Sequence, residues 1–269
     1  MVREFQFYIV PTPIGNIQDI TLRAIDILKS VDIIACEDTR TTQKLLNHYE
    51  IRTKCISYHK YNEKERVDFI LRELNSGKTI ALVSDAGTPL ICDPGSVIIK
   101  ALTENNITFT ALPGACAITT FMSHVSREDE TFSFVGFMPR TQKQIEELCN
   151  KYISHNMVFY ESPERISDTL KNIMKIRGDI KVSLGRELSK LYEEVNTGKI
   201  SEILNHYNDG VKGEIICMLY AEDDNQDINV DLKIKALKNK GYKDKDISII
   251  LSTLYNINKN EVYQKSLKL

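Results

Sequence analysis

The sequence has few of the residue patterns that bind metals or form disulfides. Its six cysteines are scattered without a C-x-x-C pair, mostly within apolar segments: Cys36, Cys55, Cys92, Cys116, Cys149 and Cys217. Its five histidines show no H-E-x-x-H or comparable ligand spacing: His48, His59, His124, His155 and His206. We therefore expect neither disulfides nor a metal site.

Long uncharged apolar runs are also absent. None approaches the roughly 20 residues that span a bilayer, and no N-terminal stretch joins a basic region to an apolar run and a small-residue cleavage site. The length of 269 residues suffices for two ordinary domains, and 42% of the residues are hydrophobic, which is close to the globular norm. We expect a folded, cytoplasmic protein without a membrane partner.

The net charge of -2 gives no overall attraction to nucleic acid, but the charge is unevenly distributed. Residues 232–269 contain nine lysines and three acidic residues, an excess of six positive charges. They follow an acidic stretch with Glu222, Asp223, Asp224 and Asp227. A basic RNA-binding end explains this distribution, and so does a chain that favours lysine throughout.

Strand-like and helix-like segments alternate through the first half of the chain, beginning with a strand at 5–10 and a helix that carries Leu22, Ile25, Leu28 and Val31. The pattern continues with strands at 32–37, 55–58, 79–84 and 108–112 and helices at 41–49, 63–74, 95–102 and 115–126. Such alternation predicts a largely parallel sheet flanked by helices. We assign residues 1–128 to this α/β domain, with its boundary near 127–130.

The second half predicts a mixed sheet in a second α/β domain, residues 129–222. Strands are expected at 131–137, 157–160, 182–184, 192–197 and 214–220, and helices at 165–176, 201–207 and after a capping-box pattern, Thr141-x-x-Gln144. The polar run 221–231 reads as a linker.

Residues 232–269 predict a small helical module with helix-turn-helix proportions. Its helices are expected at 232–239, 244–254 and 259–267, with a turn at Gly241. A shared core is predicted from Leu237, Ile247, Ile250, Leu251 and Val262.

Three loops that follow predicted strands combine proline with glycine: 12–16, 84–89 and 112–115. Ligands of open α/β sheets bind at the carboxyl ends of strands, so these loops are the candidates for a binding site. None carries a G-x-G-x-x-G or G-x-x-x-x-G-K-[ST] pattern, which argues against NAD and ATP. Rigid backbone at these turns suits a ligand without phosphates, such as S-adenosylmethionine, although ordinary strand-to-helix turns have the same composition.

A resemblance to a known family extends from about Phe7 to Tyr220. It rests on VPTPIGN from Val10, EDTR from Glu37, SYH from Ser57, NEKER from Asn62, ALVSDAGTP from Ala81 and FYESP from Phe159. These segments are similar to the ribosomal RNA small subunit methyltransferase I family of the tetrapyrrole (corrin/porphyrin) methylase superfamily. The chain departs from the family pattern at Leu90-Ile91-Cys92, where Gly-Ile-Ser is commoner.

The resemblance implies a two-domain tetrapyrrole-methylase-like α/β fold, with a mostly parallel N-terminal sheet, a mixed C-terminal sheet and a small helical C-terminal module. It implies a homodimeric enzyme that transfers a methyl group from S-adenosylmethionine to the ribose 2'-hydroxyl of a cytidine in the decoding region of small-subunit ribosomal RNA. The RNA partner is the free RNA or the assembled 30S subunit, and no DNA partner is expected.

Carried over residue by residue, the resemblance also implies the contacts with the methyl donor. They fall at Ile14, Gly15, Asp85, Ala86, Gly87, Thr88, Ile91, Cys116, Ala117, Tyr160, Glu161 and Leu188. Backbone is expected to make most of these contacts. Cys116 is interpreted as a small buried thiol, because nothing in the resemblance requires a covalent intermediate.

Methyl transfer to a hydroxyl requires alignment of donor and acceptor and removal of one proton. Charged residues near predicted strand ends are the candidates: Glu37, Asp38, Arg40, Asp85, Glu161, Arg186, Glu187 and Lys190. Our hypothesis is that Asp38 or Glu187 assists proton removal, while Arg40, Arg186 and Lys190 hold phosphate. Equally, Asp38 would cap the following helix, and Arg40 and Glu187 would form structural ion pairs.

Other interpretations stay open. Tyr58 and His59 follow a strand, where they would contact RNA or pack in the core. The same scaffold also suits a corrin or porphyrin C-methyltransferase or a methylase of a modified protein residue, although the EDTR and NEKER segments argue against both. The basic C-terminal module alone would fit a nucleic-acid-binding protein without catalysis.

Overall fold

The computed structural model describes residues 5–128, 130–222, 230–255 and 257–269, without the side chain of Leu232. The chain divides into two compact units. The first consists of Met1–Lys151 and Asn156–Tyr220, and the second of Tyr152–His155 and Ala221–Leu269. None of the helices in the described part of the chain is long and apolar enough to cross a membrane.

The first unit begins with a five-stranded sheet in which every pair of neighbours is parallel. Its strands are β1 (Phe7–Ile9), β2 (Ile33–Cys36), β3 (Lys54–Ser57), β4 (Ile80–Val83) and β5 (Phe109–Ala111), in the order β3-β2-β4-β1-β5. All residues of β2 and β4 are buried, as expected for central strands covered by helices on both faces.

Five helices connect and cover these strands: α1 (Leu22–Ser30), α2 (Thr39–His48), α3 (Glu63–Asn75), α4 (Ser96–Glu104) and α5 (Ala117–His124). Alternate residues of each strand enter two separate cores. Ile33 and Ala35 pack in one core, and Ile34 and Cys36 pack in the other. The alternation shows that each face of the sheet buries its own layer, which confirms the predicted parallel α/β architecture.

A second five-stranded sheet lies in the same unit. Its strands are β6 (Phe132–Phe137), β7 (Asn156–Glu161), β8 (Lys181–Arg186), β9 (Glu194–Lys199) and β10 (Ile215–Leu219), in the order β6-β7-β10-β8-β9. β6 and β7 are parallel, and the other neighbours are antiparallel. The helices are α6 (Gln142–Lys151), α7 (Ile166–Arg177) and α8 (Ile200–His206). The predicted mixed sheet is confirmed.

Three helices form most of the second unit: α9 (Val230–Asn239), α10 (Asp244–Tyr255) and α11 (Lys259–Lys268). Their core contains Ile234, Ile247, Leu251 and Val262, with Leu237 packed against it. Ile250 is half-buried and lies outside this cluster, so its prediction as a core residue was wrong. Ile234 takes its place.

Several predicted boundaries need correction. α2 begins at Thr39 and not at residue 41, because the Asp38 carboxylate accepts a hydrogen bond from the Arg40 amide and caps the helix. β9 begins at Glu194 and not at residue 192, since Leu191 and Tyr192 lie exposed in the preceding turn. Val230 and Asp231 already belong to α9, so the linker cannot extend to 231. Asp129 at the predicted domain boundary and residues 223–229 of the linker lie outside the described residues.

Candidate active site

The two sheets of the first unit enclose a cavity of about 430 Å³. The loops after β1, β4 and β5 supply one wall, and the ends of β7 and β8 and the start of β10 supply the other. Such a volume lies within the usual range for small-molecule sites. The lining residues are Ile14, Asp85, Ala86, Gly87, Thr88, Ile91, Cys92, Asp93, Cys116, Ala117, Phe137, Tyr160, Glu161, Ser162, Pro163, Leu188, Gly213, Glu214, Ile215 and Ile216.

Most residues that sequence reasoning assigned to the methyl donor come together here. Eleven of the twelve line the cavity: Ile14, Asp85, Ala86, Gly87, Thr88, Ile91, Cys116, Ala117, Tyr160, Glu161 and Leu188. Gly15 does not line it. A Cβ atom there would lie 2.8 Å from the Leu188 carbonyl oxygen and would collide with the Lys190 side chain, so Gly15 allows two loops to approach closely.

Hydrogen bonds hold the strand-end loops in fixed positions. Thr12 and Gly87 exchange two backbone hydrogen bonds of 2.9 Å, and the Ser84 hydroxyl donates to the Gly87 carbonyl at 3.1 Å. Gly87 has a φ of +79°, a conformation that favours glycine. The Thr88 hydroxyl donates to the Ala115 carbonyl at 2.9 Å, which connects the loop after β4 to the loop after β5. These hydrogen bonds fix the backbone wall of the cavity.

The charged side chains among the described lining residues are all carboxylates, and two of them, Glu161 and Glu214, form ion pairs with cations outside the lining. Asp85, Asp93, Glu161 and Glu214 contribute carboxylates, and the described lining residues include no lysine, arginine or histidine. Burial raises the pKa of Asp93, and the Asp85 charge adds to that rise. A cavity of this kind disfavours phosphate groups and suits a ligand with positive charge.

Glu161 is the most enclosed of these carboxylates, with a side chain that is 0% exposed. It accepts hydrogen bonds from the Thr169 hydroxyl at 2.7 Å and the Ser162 amide at 2.8 Å. The Arg165 guanidinium lies 3.2 Å from it. These partners fix the position of the carboxylate at the end of β7.

Asp38 and Arg40 form an exposed pair at the start of α2 and do not line the cavity. Their side chains lie 2.7 Å apart. Hydrogen bonds from Arg40 lower the pKa of Asp38 to about 2. The Asp38 amide donates to the Asp85 carboxylate at 3.0 Å. Asp85 lines the cavity, so the pair contacts the cavity wall from outside. Next to it, burial first and then the charges of Asp85 and Asp93 raise the pKa of Glu37.

Glu187, Lys190 and Glu214 form a second charged group at the cavity. The Lys190 ammonium lies 2.8 Å from Glu187 and 3.0 Å from Glu214, and only Glu214 lines the cavity. The hydrogen bond from Lys190 lowers the pKa of Glu187. Burial works against the charge of Lys190, but its two carboxylate partners prevail and raise its pKa. Glu187 and Ser189 both have positive φ, 50° and 65°, so this turn is strained.

Two of the three remaining candidates, Arg186 and Tyr58, have side-chain partners. Arg186 donates to Glu194 at 2.7 Å in the neighbouring strand. Tyr58 is 1% exposed and donates its hydroxyl hydrogen to Glu63 at 3.0 Å, so the hypothesis that it contacts RNA was wrong. His59 is half-buried.

Comparison with known proteins identifies the family. Residues 6–204 match the family described as Tetrapyrrole (Corrin/Porphyrin) Methylases. The chain is 41% identical to the ribosomal RNA small subunit methyltransferase I of Streptococcus pyogenes serotype M3, over 96% of this chain and 93% of that protein. The chain belongs to the ribosomal RNA small subunit methyltransferase I family. Members from Bacillus subtilis and Vibrio cholerae are 43% and 36% identical, over 82% and 97% of this chain and 77% and 94% of the relatives.

Solved structures support the same fold for this methyltransferase. A cobalt precorrin-4 methyltransferase of cobalamin biosynthesis superposes with a TM-score of 0.59 at 14% identity, over 80% of this chain and 94% of that one. A uroporphyrin-III-C-methyltransferase from Thermus thermophilus superposes with a TM-score of 0.56 at 12% identity, with the same coverage. At these identities the likeness concerns the fold alone.

Sequence reasoning about this methyltransferase missed part of the cavity wall: Cys92, Asp93, Phe137, Ser162, Pro163, Gly213, Glu214, Ile215 and Ile216. Ser162 and Pro163 belong to the quoted FYESP segment, which was a usable signal. Gly213 and Glu214 precede β10, which runs antiparallel to β7, so its start lies beside the end of β7. That placement depends on strand order, which the sequence does not display.

Proposed function

We propose that this methyltransferase binds S-adenosylmethionine in the 430 Å³ cavity and methylates the ribose 2'-hydroxyl of a cytidine in the decoding region of small-subunit ribosomal RNA. The observation that carries the proposal is the cavity wall, with four carboxylates and no cationic side chain among its described residues. The names of the relatives support ribosomal RNA as the acceptor.

The chemistry of the wall fits the donor. S-adenosylmethionine carries a sulfonium and an ammonium group against one carboxylate, so its net charge is positive and it lacks phosphate. Asp85 and Asp93, which make no ion pair with a described residue, provide the complementary charge, and the lining residues Ala86, Thr88, Cys116 and Ala117 bring backbone groups to the wall. Gly87 supports this fit, because a side chain there would approach Ile14 at 3.2 Å and narrow the slot.

When bound, the donor supplies an electrophilic methyl carbon next to a neutral thioether leaving group. The remaining task of the chain is to align the ribose hydroxyl and accept its proton. Asp38 and Glu187 are the proposed bases, each paired with a cation that lies next to the cavity. RNA phosphate would draw Arg40 or Lys190 away, and the carboxylate left behind would regain a more ordinary pKa and become a stronger base.

The experiment is to incubate the purified protein with methyl-labelled S-adenosylmethionine and undermodified small subunits, then digest the RNA and identify the labelled nucleoside by mass spectrometry. We expect 2'-O-methylcytidine at one position. Label on a base, or no label although calorimetry detects donor binding, would contradict the proposal. A uroporphyrinogen substrate in a parallel reaction tests the tetrapyrrole alternative, for which no label is expected.

Two further elements belong to the proposal. We assign residues 1–128, 129–222 and 232–269 to donor-binding, cleft-closing and RNA-binding functions respectively. The active species is a homodimer, for which light scattering should report about twice the chain mass of 30.8 kDa.

A further inference from the structure

Strand β6 carries an irregularity next to the cavity. Phe134 pairs with Val158 and Phe137 pairs with Tyr160, so β6 advances three residues while β7 advances two. The extra residue is a β-bulge that includes Gly136, whose φ is +76°. Because alternate residues of a strand point to opposite faces, the bulge returns Phe137 to the face that carries Phe134.

The bulge gives Phe137 an unusual environment. Its ring lies 5.5 Å from the ring of Tyr160, and Phe134 contacts the same tyrosine at 5.0 Å. Phe137 lines the cavity and yet is 61% exposed. Among the described lining residues, Ile91 is the other large apolar side chain with such exposure, at 46%. A largely exposed aromatic ring therefore lies at the edge of the cavity.

The backbone around Phe137 is firmly held. Met138 is 2% exposed, and its amide donates to the Tyr160 carbonyl at 3.1 Å. Arg165 donates to the carbonyl oxygens of Met138 at 3.2 Å and Pro139 at 2.8 Å, and it also contacts Glu161. Arg140 follows directly, exposed and without an ion pair in the part of the chain that the structure describes. An anchored segment thus presents one aromatic ring and one cation.

We propose that Phe137 is the stacking platform for the acceptor nucleobase and that Arg140 holds a neighbouring phosphate. This inference rests on the proposed function. A nucleotide that leaves its stack can bring its ribose to the methyl donor, and single-stranded bases bind to proteins by stacking on aromatic rings. The described residues of the cavity wall include no cation for phosphate, and Arg140 supplies one close to Phe137 in the sequence.

Substitutions at Phe137 distinguish a role in RNA binding from a role in donor binding. Phe137→Ala should raise the KM for small subunits about 10-fold, because a stacked base contributes that much or more to binding. Phe137→Tyr keeps an aromatic ring and should behave like the wild type. In Phe137→Ala the donor Kd should change by a clearly smaller factor than this KM, although Phe137 also lines the cavity. A parallel loss of donor affinity in Phe137→Ala, or a fall of its molar mass to that of one chain, would overturn the assignment.

A second measurement uses the absence of tryptophan from the 269 residues. Phe137→Trp creates a single fluorescent reporter at the cavity edge. Phe132→Trp is the matched control, since Phe132 is 39% exposed on the same strand and does not line the cavity. A protein-free RNA fragment of the decoding region should quench the reporter at 137 and shield it from acrylamide, and should leave the control unchanged.

The outcomes distinguish this inference from the function on which it rests. If the wild type methylates RNA but emission at 137 is unaffected by bound RNA, or if both reporters respond equally, the platform is refuted and the function stands. If the wild type binds donor but neither binds nor methylates RNA, the proposed function fails, and the platform fails with it.

Discussion

Two physical reasons favour glycine at position 213, whereas only one favours glycine at position 210 in the same loop. Both have positive φ, +89° and +93°. A Cβ atom at 210 would meet nothing within 4 Å, but one at 213 would collide with the Glu187 carboxylate. A side chain at position 210 would therefore cause backbone strain alone, whereas one at position 213 would also displace the Glu187 side chain.

Alanine at each position tests this difference. Gly210→Ala should cost about 1–2 kcal/mol of unfolding free energy, the usual strain of an L-residue in the left-handed region, and leave the donor Kd unchanged. Gly213→Ala should cost more and weaken donor binding about 10-fold, because Glu187 and Lys190 must move. Urea unfolding and calorimetry measure the two quantities. Equal donor affinity in both variants would show that Glu187 does not shape the cavity wall.

The proposed bases predict a pH dependence that RNA alters. Without RNA, the partner Arg40 keeps the pKa of Asp38 at about 2, and the partner Lys190 lowers that of Glu187. A general base acts in its deprotonated form. If the Asp38–Arg40 and Glu187–Lys190 pairs stayed intact during the reaction, the rate would therefore be nearly independent of pH above about pH 4. If an RNA phosphate draws Arg40 or Lys190 away from its carboxylate, the pKa of that carboxylate rises, and the inflection in the profile of rate against pH moves to higher pH.

Asp38→Asn and Glu187→Gln should be compared in single turnovers over a range of pH. We expect one of them to lower the rate at least about 100-fold and to remove the acidic inflection, with the donor Kd intact. Wild-type rates in both would refute the base assignment. Glu37→Gln is the comparison variant, because burial and two neighbouring carboxylates raise the pKa of Glu37. A loss of rate there alone would transfer the role to Glu37.

For single residues, the sequence predicts the cavity wall best where loop backbone forms it. The segments around Ile14, Gly87 and Cys116 follow strands of one parallel sheet, so their carboxyl ends had to meet at one edge. Phe137 and Glu214 could not be found in that way. Phe137 reaches the cavity through a bulge, and Glu214 through an antiparallel neighbour, and both depend on pairings between distant segments.

The β8–β9 hairpin contains a further ionic group outside the cavity. Arg186 and Glu194 face each other in register, and their side chains lie 2.7 Å apart. Asn196 and His206 also approach Glu194, at 2.7 Å each. Arg186 lowers the pKa of Glu194 to about 2, with further contributions from Asn196 and His206. Arg186 therefore fixes the hairpin in this structure, although the sequence suggested phosphate binding.

A lowered pKa means that the hairpin is stabilised when Glu194 is ionised. That contribution is complete above the ordinary value near 4.5 and is lost as the pH falls towards about 2. Glu194→Gln should thus cost about 2–3 kcal/mol at neutral pH but only about 1 kcal/mol at about pH 3. Urea unfolding of the variant and the wild type at both pH values measures the difference.

Glu104→Gln is the control, because Glu104 and its partner Lys100 are largely exposed and 3.8 Å apart. Its effect should be small at either pH. A cost of Glu194→Gln that stays constant with pH would show that the pair does not stabilise the hairpin through its charge.

Element types were predictable because apolar periodicity differs between strands and helices, but exact ends were set by local hydrogen bonds. At the predicted capping box the Gln144 backbone amide donates to the Thr141 hydroxyl at 3.4 Å, and that hydroxyl donates to the Gln144 side-chain oxygen at 2.8 Å. β9 starts late because the turn before it is stabilised by backbone bonds such as the one from Lys190 to Glu187, at 3.0 Å. Leu191 and Tyr192 are residues typical of strands, which led to the early predicted start, but both are exposed in the turn.

For the whole molecule, the second unit accounts for the uneven charge. Some of its lysines have internal partners: Lys238 lies 3.0 Å from Asp244, and Lys233 donates to the Tyr255 hydroxyl at 2.6 Å. Lys240, Lys243 and Lys245 surround the turn between α9 and α10, are exposed, and make no ion pair with any described residue. This cluster of exposed cations at one turn supports the proposed RNA-binding role of residues 232–269.

Replacement of Lys240, Lys243 and Lys245 by glutamine should weaken RNA binding and make it less dependent on salt. Each lost phosphate contact reduces the slope of log K against log salt by about 0.7–0.9, so a change of about 2 is expected. The donor Kd should not change. The control replaces Lys100, Lys143 and Lys171 of the first unit, which lie within 3.7–4.0 Å of acidic partners and carry the same total charge. If both triple variants flatten the salt dependence equally, net charge governs RNA affinity and the second unit has no specific part in it.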